Sequence, residues 1–300
     1  IELLTGGQTQ LGTAITEGLI DAPLAVELWA GDDINLPSGA RVHSGLSVLL
    51  RGDAQPNDPD DVGTTTDIRG EVAAPSVEIA GGGDLDYLQI NNPGGINPNG
   101  TTTMRGYDGG DRLFVRGVAG TTTLKGDEGS DRFFVSSNAN KALFTTGGVY
   151  DDQIDPLNRL TGTLANLGGL TIETGVGGNG GTLDGIFLSA ASANAALSGS
   201  LDNNSSTKVG TISGLGMAAG KSIAFSTPST PEQDKGLGVQ VLLKLSGHDD
   251  SFQVKGLAAS SSSPSPPPPR AARNVERPSA SDPRARGFPW MLGWSHPVLQ

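Results

Sequence analysis

The sequence predicts an all-β chain, a parallel β-solenoid (β-helix or β-roll) ending in a disordered Pro/Ser-rich tail, and three observations predict it. Glycine is abundant and aromatics are scarce, with 45 Gly and 5% Phe, Trp and Tyr in 300 residues, a balance that favours many short strands and turns over a compact enzyme core. Apolar and polar residues alternate over short runs, with turn signals such as GDD, PSG and RGD recurring between them. One phrase occurs twice: TTTMRGYDGGDRLFV at 101–115 and TTTLKGDEGSDRFFV at 121–135, 20 residues apart and identical at nine of 15 positions. A fixed period of about 20 residues marks repeats that stack on one another.

In chain order, residues 1–80 read as N-terminal strands and turns. LAVELWAGDDINLPSGARVHSGLSVLLRGD (24–53) alternates Val26, Leu28, Ala30, then Ile34, Leu36, then Val48, Leu50. GTTTDIRG (63–70) echoes the later Thr triplets, so the coil pattern is expected to begin before the Gly/Asp turns of the repeat do. Residues 81–155 form the repeat region proper. Each copy runs from a β-branched strand through a Gly/Asp turn into a short apolar strand, Leu113-Phe114-Val115 or Phe133-Phe134-Val135. Stacking is expected to hide Met104, Leu113 and Val115 against Leu124, Phe133 and Val135. Residues 156–258 continue as strand-turn-strand with a weaker repeat, in which Asp184-Gly185-Ile186 and Asp250-Ser251-Phe252 echo the turn. SSSSPSPPPPR (260–270) opens a tail over 259–300, polyproline-like at first and expected to be disordered.

The turns GYDGGDRLF (106–114) and GDEGSDRFF (126–134) resemble the calcium-binding nonapeptide G-G-x-G-x-D-x-U-x of RTX, or haemolysin-type, repeats in large secreted bacterial proteins. GGGDLDYLQ (81–89) and GGVYDDQID (147–155) fit the same frame without its fourth-position Gly. The phrases LTIETG, TISGLG and LSGHDDSFQVKG further resemble modules of very large bacterial repeat proteins, extending the likeness over about residues 20–258. The resemblance implies Ca²⁺ held between stacked turns, with ligands from Asp86, Gly106, Asp108, Gly109, Asp111, Gly126, Asp127, Gly129, Asp131 and Asp152. Calcium takes six to eight hard oxygen ligands, and stacked Asp/Gly turns offer carboxylates and carbonyls. One departure stands out: RTX arrays load both edges of the roll, whereas here one edge carries the motif.

The remaining features bound the function. The net charge is −12, and the tail is basic, with five Arg against Glu276 and Asp282, so the acidity sits in residues 1–258. That disfavours nucleic acid. With no Cys there is no thiol chemistry and no disulfide framework. No apolar run is long enough to span a membrane. GVGGNG (175–180) matches a dinucleotide fingerprint but precedes no helix pattern, and GLGMAAGKS (214–222) places Leu215 where a P-loop needs Gly. Arg51-Gly52-Asp53 fits a strand-to-turn junction better than an adhesion tripeptide. His43, His248 and His296 are isolated in sequence. Rows of Thr suit β propensity, and ordering water or ice is the weaker reading of them.

The expectation is a calcium-stabilised, non-catalytic, extracellular or cell-surface repeat region of adhesin type. It would be part of a longer chain with flanking repeats and would contact surface glycans or matrix. The alternatives are a polysaccharide lyase or hydrolase on a β-helix and a glycan-binding module. The calcium expectation predicts that β structure in residues 1–258 rises reversibly with Ca²⁺ by circular dichroism.

Overall fold

In the computed structural model the described residues are 2–5, 18–31, 33–53, 63–177, 184–204, 207, 209–226, 239–255 and 291–292. They are mostly β with almost no helix, and most of the strands pair in parallel. A long sheet of 12 strands forms one side and a sheet of 8 strands a second, while three short strands (Leu19–Ala22, Arg41–Ser44, Glu71–Ala73) form a third. From residue 25 to residue 80 the chain visits the long, second and third sheets in rotation. After Ala80 the third side is carried by loops that place Ile96 and Asn97 inside.

Register fixes the interior. Across the long sheet Val26, Val48, Val77, Thr102, Thr122, Leu170 and Ile223 stand in one inward column. Leu28, Leu50, Ile79, Met104, Leu124, Ile172 and Phe225 form the next. The second sheet answers with Leu88, Leu113, Phe133, Ile186 and Val241, and with Ile68, Ile90, Val115, Val135 and Leu188. The side-chain period of two in a strand turns every second residue inward, and the burial of Thr101–Asp108 alternates accordingly. The expected stacking of Met104, Leu113 and Val115 on Leu124, Phe133 and Val135 is present, with all six fully buried.

The 20-residue period holds for one step only. The first inward column advances by 22, 29, 25, 20, 48 and 53 residues. One insertion is structured: residues 136–169 leave the second sheet, their middle folds back over its outer face, and Leu164 and Leu167 then return to the interior. There Phe114, Phe134 and Phe187 stack with ring centroids 4.6 and 5.2 Å apart, and Phe144 of the excursion lies 4.8 Å from the Phe134 ring. Ala139 and Leu160 complete this second apolar cluster. The excursion is tied at its start as well, where the Lys141 backbone N–H donates to Gln89 Oε1 at 2.8 Å.

Three expectations need correction. The parallel order does not continue through the C-terminal third: Ser198–Asn204, Val209–Gly214 and Ser222–Ser226 pair antiparallel, as a meander whose strands are adjacent in sequence. Stacked strands do precede the repeat turns, as expected, but the echo at 63–70 lies on another side of the fold from the Thr triplets. Thr66–Ile68 lies in the second sheet, while Thr101–Thr103 and Thr121–Thr123 lie in the long one. Finally, Met291–Leu292 of the tail forms a strand beside Val241 and Leu242, and the rest of 259–300 lies outside the described residues.

The aromatic stack is the most sensitive point of the second sheet. Phe134→Ala is expected to lower stability by about 3–5 kcal/mol in denaturant unfolding. Thr103→Ala on the outer face of the long sheet should stay within about 0.5 kcal/mol.

Candidate functional site

The sixth-position residues of the repeat, Asp86, Asp111 and Asp131, meet in the interior, not on the rim. At the corner between the long and second sheets, Gly81, Gly106 and Gly126 form a column on one side, and Thr174 takes the next place in it. Facing them, Asp86, Asp111, Asp131 and Asp184 form a column preceding the strands of the second sheet. In three rungs the glycine and the carboxylate are five residues apart, the first and sixth places of the repeat. The reason for glycine is space. A Cβ on Gly106 would overlap Asp111 Oδ2, one on Gly126 would overlap Asp131 Oδ2, and one on Gly81 would overlap Asp86 Oδ2.

Each carboxylate reaches back one pass to a main-chain donor. The Thr64 N–H donates to Asp86 Oδ1 at 2.6 Å, and the Asp86 N–H to Asp111 Oδ1 at 2.9 Å. The Asp111 N–H donates to Asp131 Oδ1 at 2.9 Å, and the Asp131 N–H to Asp184 Oδ1 at 3.0 Å. These N–H groups sit where the strands of the second sheet have not yet begun, so the side chains satisfy donors that the sheet would otherwise leave buried and unpaired.

Burial dominates the acidity of the column. It pushes the Asp111 carboxyl up to about 9, against the opposing effect of the Asp86 N–H, with the neighbouring Asp86 and Asp131 adding to the rise. Burial likewise pushes Asp86 and Asp131 up to about 7 and Asp184 up to about 6. Arg112 is the cation nearest the column. Its guanidinium is engaged by the carbonyls of Asp111 and Ser130, both at 3.2 Å, and by Asp152 at 3.1 Å.

The other residues expected to bind calcium lie apart. Asp108 is exposed on the rim, opposite Glu128 in register. Asp127 is paired with Arg105. Gly109 and Gly129, at φ +121° and +137°, let successive turns approach closely: a Cβ on Gly129 would overlap the Gly109 carbonyl oxygen. Asp152 is not a rung of the column. It belongs to the excursion, where it bridges Arg112 at 3.1 Å and Arg132 at 2.9 Å, and Gly147, five residues before it, stands in open space. The fourth rung is Asp184, whose partner Thr174 offers a hydroxyl where the earlier rungs have glycine.

This donor set does not fit calcium. The ion needs six to eight oxygens around an open centre, but in each column carboxylate Oδ1 is engaged by an N–H, and in three of the four Oδ2 packs on a glycine Cα. Among the described residues no group of three or more His, Asp or Glu side chains gathers in a way that would hold a metal.

Other sequence features find structural roles. Arg51 lies between two rings, 5.6 Å from Trp29 and 5.4 Å from Tyr107, and Asp53 is buried. The stretch around Leu215 is a turn with positive φ at Gly214, Leu215 and Gly216, followed by the strand Ser222–Ser226. Of GVGGNG, Val176–Gly177 is a short strand and 178–180 lie outside the described residues. His43 lies 3.1 Å from Glu71, His248 is exposed, and His296 lies outside the described residues. No helix among the described residues is long and apolar enough to cross a membrane. Compared with family models, with curated proteins and with solved structures, the chain matches none.

The fit of glycine to carboxylate is directly testable. Gly126→Ala should cost about 1–3 kcal/mol by overpacking, and Asp131→Ala should relieve the part of the clash that the carboxylate makes, leaving the Thr174 carbonyl oxygen, so the double variant should lose less than the sum of the two. Gly83→Ala, with open space around it, is the matched control and should be close to neutral.

Proposed function

We propose that this chain is a non-catalytic structural repeat region, a parallel β-solenoid that spaces or presents a surface outside the cell. The observation that carries this reading is where the perturbed carboxylates lie. Strongly shifted groups mark active sites when they face a cleft. Here Asp86, Asp111 and Asp131 are fully buried between stacked strands, each bound to main chain. A hollow of about 690 Å³ is an open polar trough on the antiparallel meander, lined by Ser200, Asp202, Asn203, Thr211, Ser213 and Lys255, and it contains none of the shifted carboxylates. A place at the cell surface or in the surrounding matrix goes with the reading, as does a role in adhesion.

Calcium is not needed to support this function, since the passes are already joined by main-chain ladders and by the aspartate column. A glycan-binding role is the second reading, and one observation favours it. Trp29 and Tyr107, far apart in sequence, are brought onto the same outward face, with Arg51 between them and the Tyr107 hydroxyl 3.3 Å from Glu78 Oε1.

Strands stacked about 4.8 Å apart make the 11-strand path of the long sheet roughly 50 Å long. Small-angle X-ray scattering should therefore give an elongated particle, and incubation with polysaccharides should release no new reducing ends. Release of reducing ends or unsaturated sugars would instead make it an enzyme. For the second reading, Trp29 fluorescence should shift on titration with a bound neutral oligosaccharide, and Tyr107→Ala should weaken that binding about 10-fold, the loss of one stacking contact.

A further inference from the structure

We infer that Arg51 makes the outward face of the long sheet a site for an acidic sugar, its guanidinium taking the carboxylate of a uronic acid. This site rests on the glycan-binding reading and narrows it to one class of glycan. The register of the outward side chains is the starting point. Trp29, Arg51, Ala80, Arg105, Lys125 and Glu173 follow one another in a single column across six strands. Ala80 faces out and is nevertheless fully buried. The Tyr107 ring stands over it, 5.4 Å from the Arg51 guanidinium and 4.3 Å from that of Arg105. Rings and guanidiniums therefore alternate along the face as Trp29, Arg51, Tyr107 and Arg105.

Among the described residues, Arg51 is the one cation of this column with no carboxylate. Arg105 is paired with Asp127, and Lys125 with Glu173 at 2.8 Å. Glu27 and Glu78 stand in the adjoining column on either side of Leu49, so both are diagonal neighbours of Arg51. Each is engaged elsewhere: Glu27 Oε2 accepts from Trp29 Nε1 at 3.2 Å, and Glu78 Oε1 from the Tyr107 hydroxyl at 3.3 Å. Arg51 Nε is buried and donates to nothing, while the residue as a whole is partly exposed. The rings hold the guanidinium from two sides, and its Nη groups are left to solvent.

A guanidinium held in this way offers an oxyanion a planar pair of N–H donors. The chain carries a net charge of −12, but charges more than about 8 Å away are largely screened at physiological ionic strength, so the immediate neighbours decide which anion fits. A phosphate monoester brings a charge of about −1.5 to −2, more than one arginine neutralises, and Glu27 and Glu78 repel the excess. A single carboxylate leaves no excess. The same two glutamates can accept from hydroxyl groups, and Leu49 between them is a partly exposed apolar floor for the C–H face of a ring. One carboxylate, several hydroxyls and an apolar ring face together describe a uronic acid.

Binding and preference separate here. A neutral sugar can use the rings, Leu49 and the two glutamates while leaving Arg51 unpaired, so the preference for the acid over its neutral counterpart is what belongs to Arg51. Lysine at this position keeps the charge on a flexible stem and loses the planar fork, and methionine keeps most of the stem and loses the charge.

The experiment is isothermal titration calorimetry of the full chain with a uronic acid tetrasaccharide and with the same tetrasaccharide methyl-esterified at every carboxyl, for the wild type, Arg51→Lys and Arg51→Met. The wild type should bind the acid about 10-fold more tightly than the ester, the gain from one charge-assisted contact. Arg51→Met should bind the two alike, at the affinity the wild type has for the ester, and Arg51→Lys should fall between. Equal binding of acid and ester by the wild type, or a preference that survives in Arg51→Met, would overturn the site and leave the glycan-binding reading standing. Binding of neither sugar would overturn both. A densely sulfated oligosaccharide should bind no more tightly than the uronate, and tighter binding would overturn the assignment to a carboxylate. The wild type alone gives a reading that needs no folded variant: added salt should shrink the preference for the acid and leave ester binding unchanged, and a preference indifferent to salt would count against Arg51.

Discussion

The corner where a glycine faces an aspartate is the constraint on which the repeat region depends. The chain passes there from the long sheet to the second, and the main-chain N–H groups at the bend donate to carboxylates in place of a strand neighbour. A side chain short enough to fit the corner and able to accept must supply the partner. Aspartate does so only if the residue opposite has no Cβ, which explains why Gly106 and Asp111 recur as Gly126 and Asp131. Where the opposite residue does carry a side chain, as Thr174 does, that side chain becomes part of the hydrogen bonding.

Around that corner the apolar columns do most of the stabilising. Each pass adds two or more buried side chains on the long sheet and two on the second, and burial of such groups contributes on the order of 1.5–3 kcal/mol each. The excursion at 136–169 extends this logic outward. Phe114, Phe134 and Phe187 face away from the interior, and without Phe144, Ala139 and Leu160 over them they would form an exposed aromatic strip. Function follows from how the polar groups are used. The acidic residues of the column serve the main chain.

The architecture was legible wherever sequence period and structural period coincide. Alternation placed Val26, Leu28, Val48 and Leu50 inward, and the duplicated phrase placed Met104 over Leu124 and Val115 over Val135. The right aspartates also stood out, since Asp86, Asp111 and Asp131 are three of the four rungs. Their chemistry did not, because a Gly-Asp pair at a five-residue spacing looks the same whether its carboxylate turns out to solvent or in against a glycine Cα. The same spacing at Gly147 and Asp152 is a coincidence of composition in an excursion. The true fourth rung, Asp184, lies 53 residues beyond Asp131, and no search at a period near 20 reaches it. Its signal was the echo of the turn at Asp184-Gly185-Ile186, continued by Phe187-Leu188 to match Phe133-Phe134-Val135. The antiparallel meander left no comparable mark, since a strand and a glycine turn read alike in either direction.

The aspartate column also gives the stack a direction. Every carboxylate bonds the N–H of the pass before it, so each pass is incomplete until its successor arrives and is then closed by it. A chain that emerges N-terminus first would add passes in the order in which each can lock its predecessor. While such a chain grows, the amide still waiting for its carboxylate marks the newest pass.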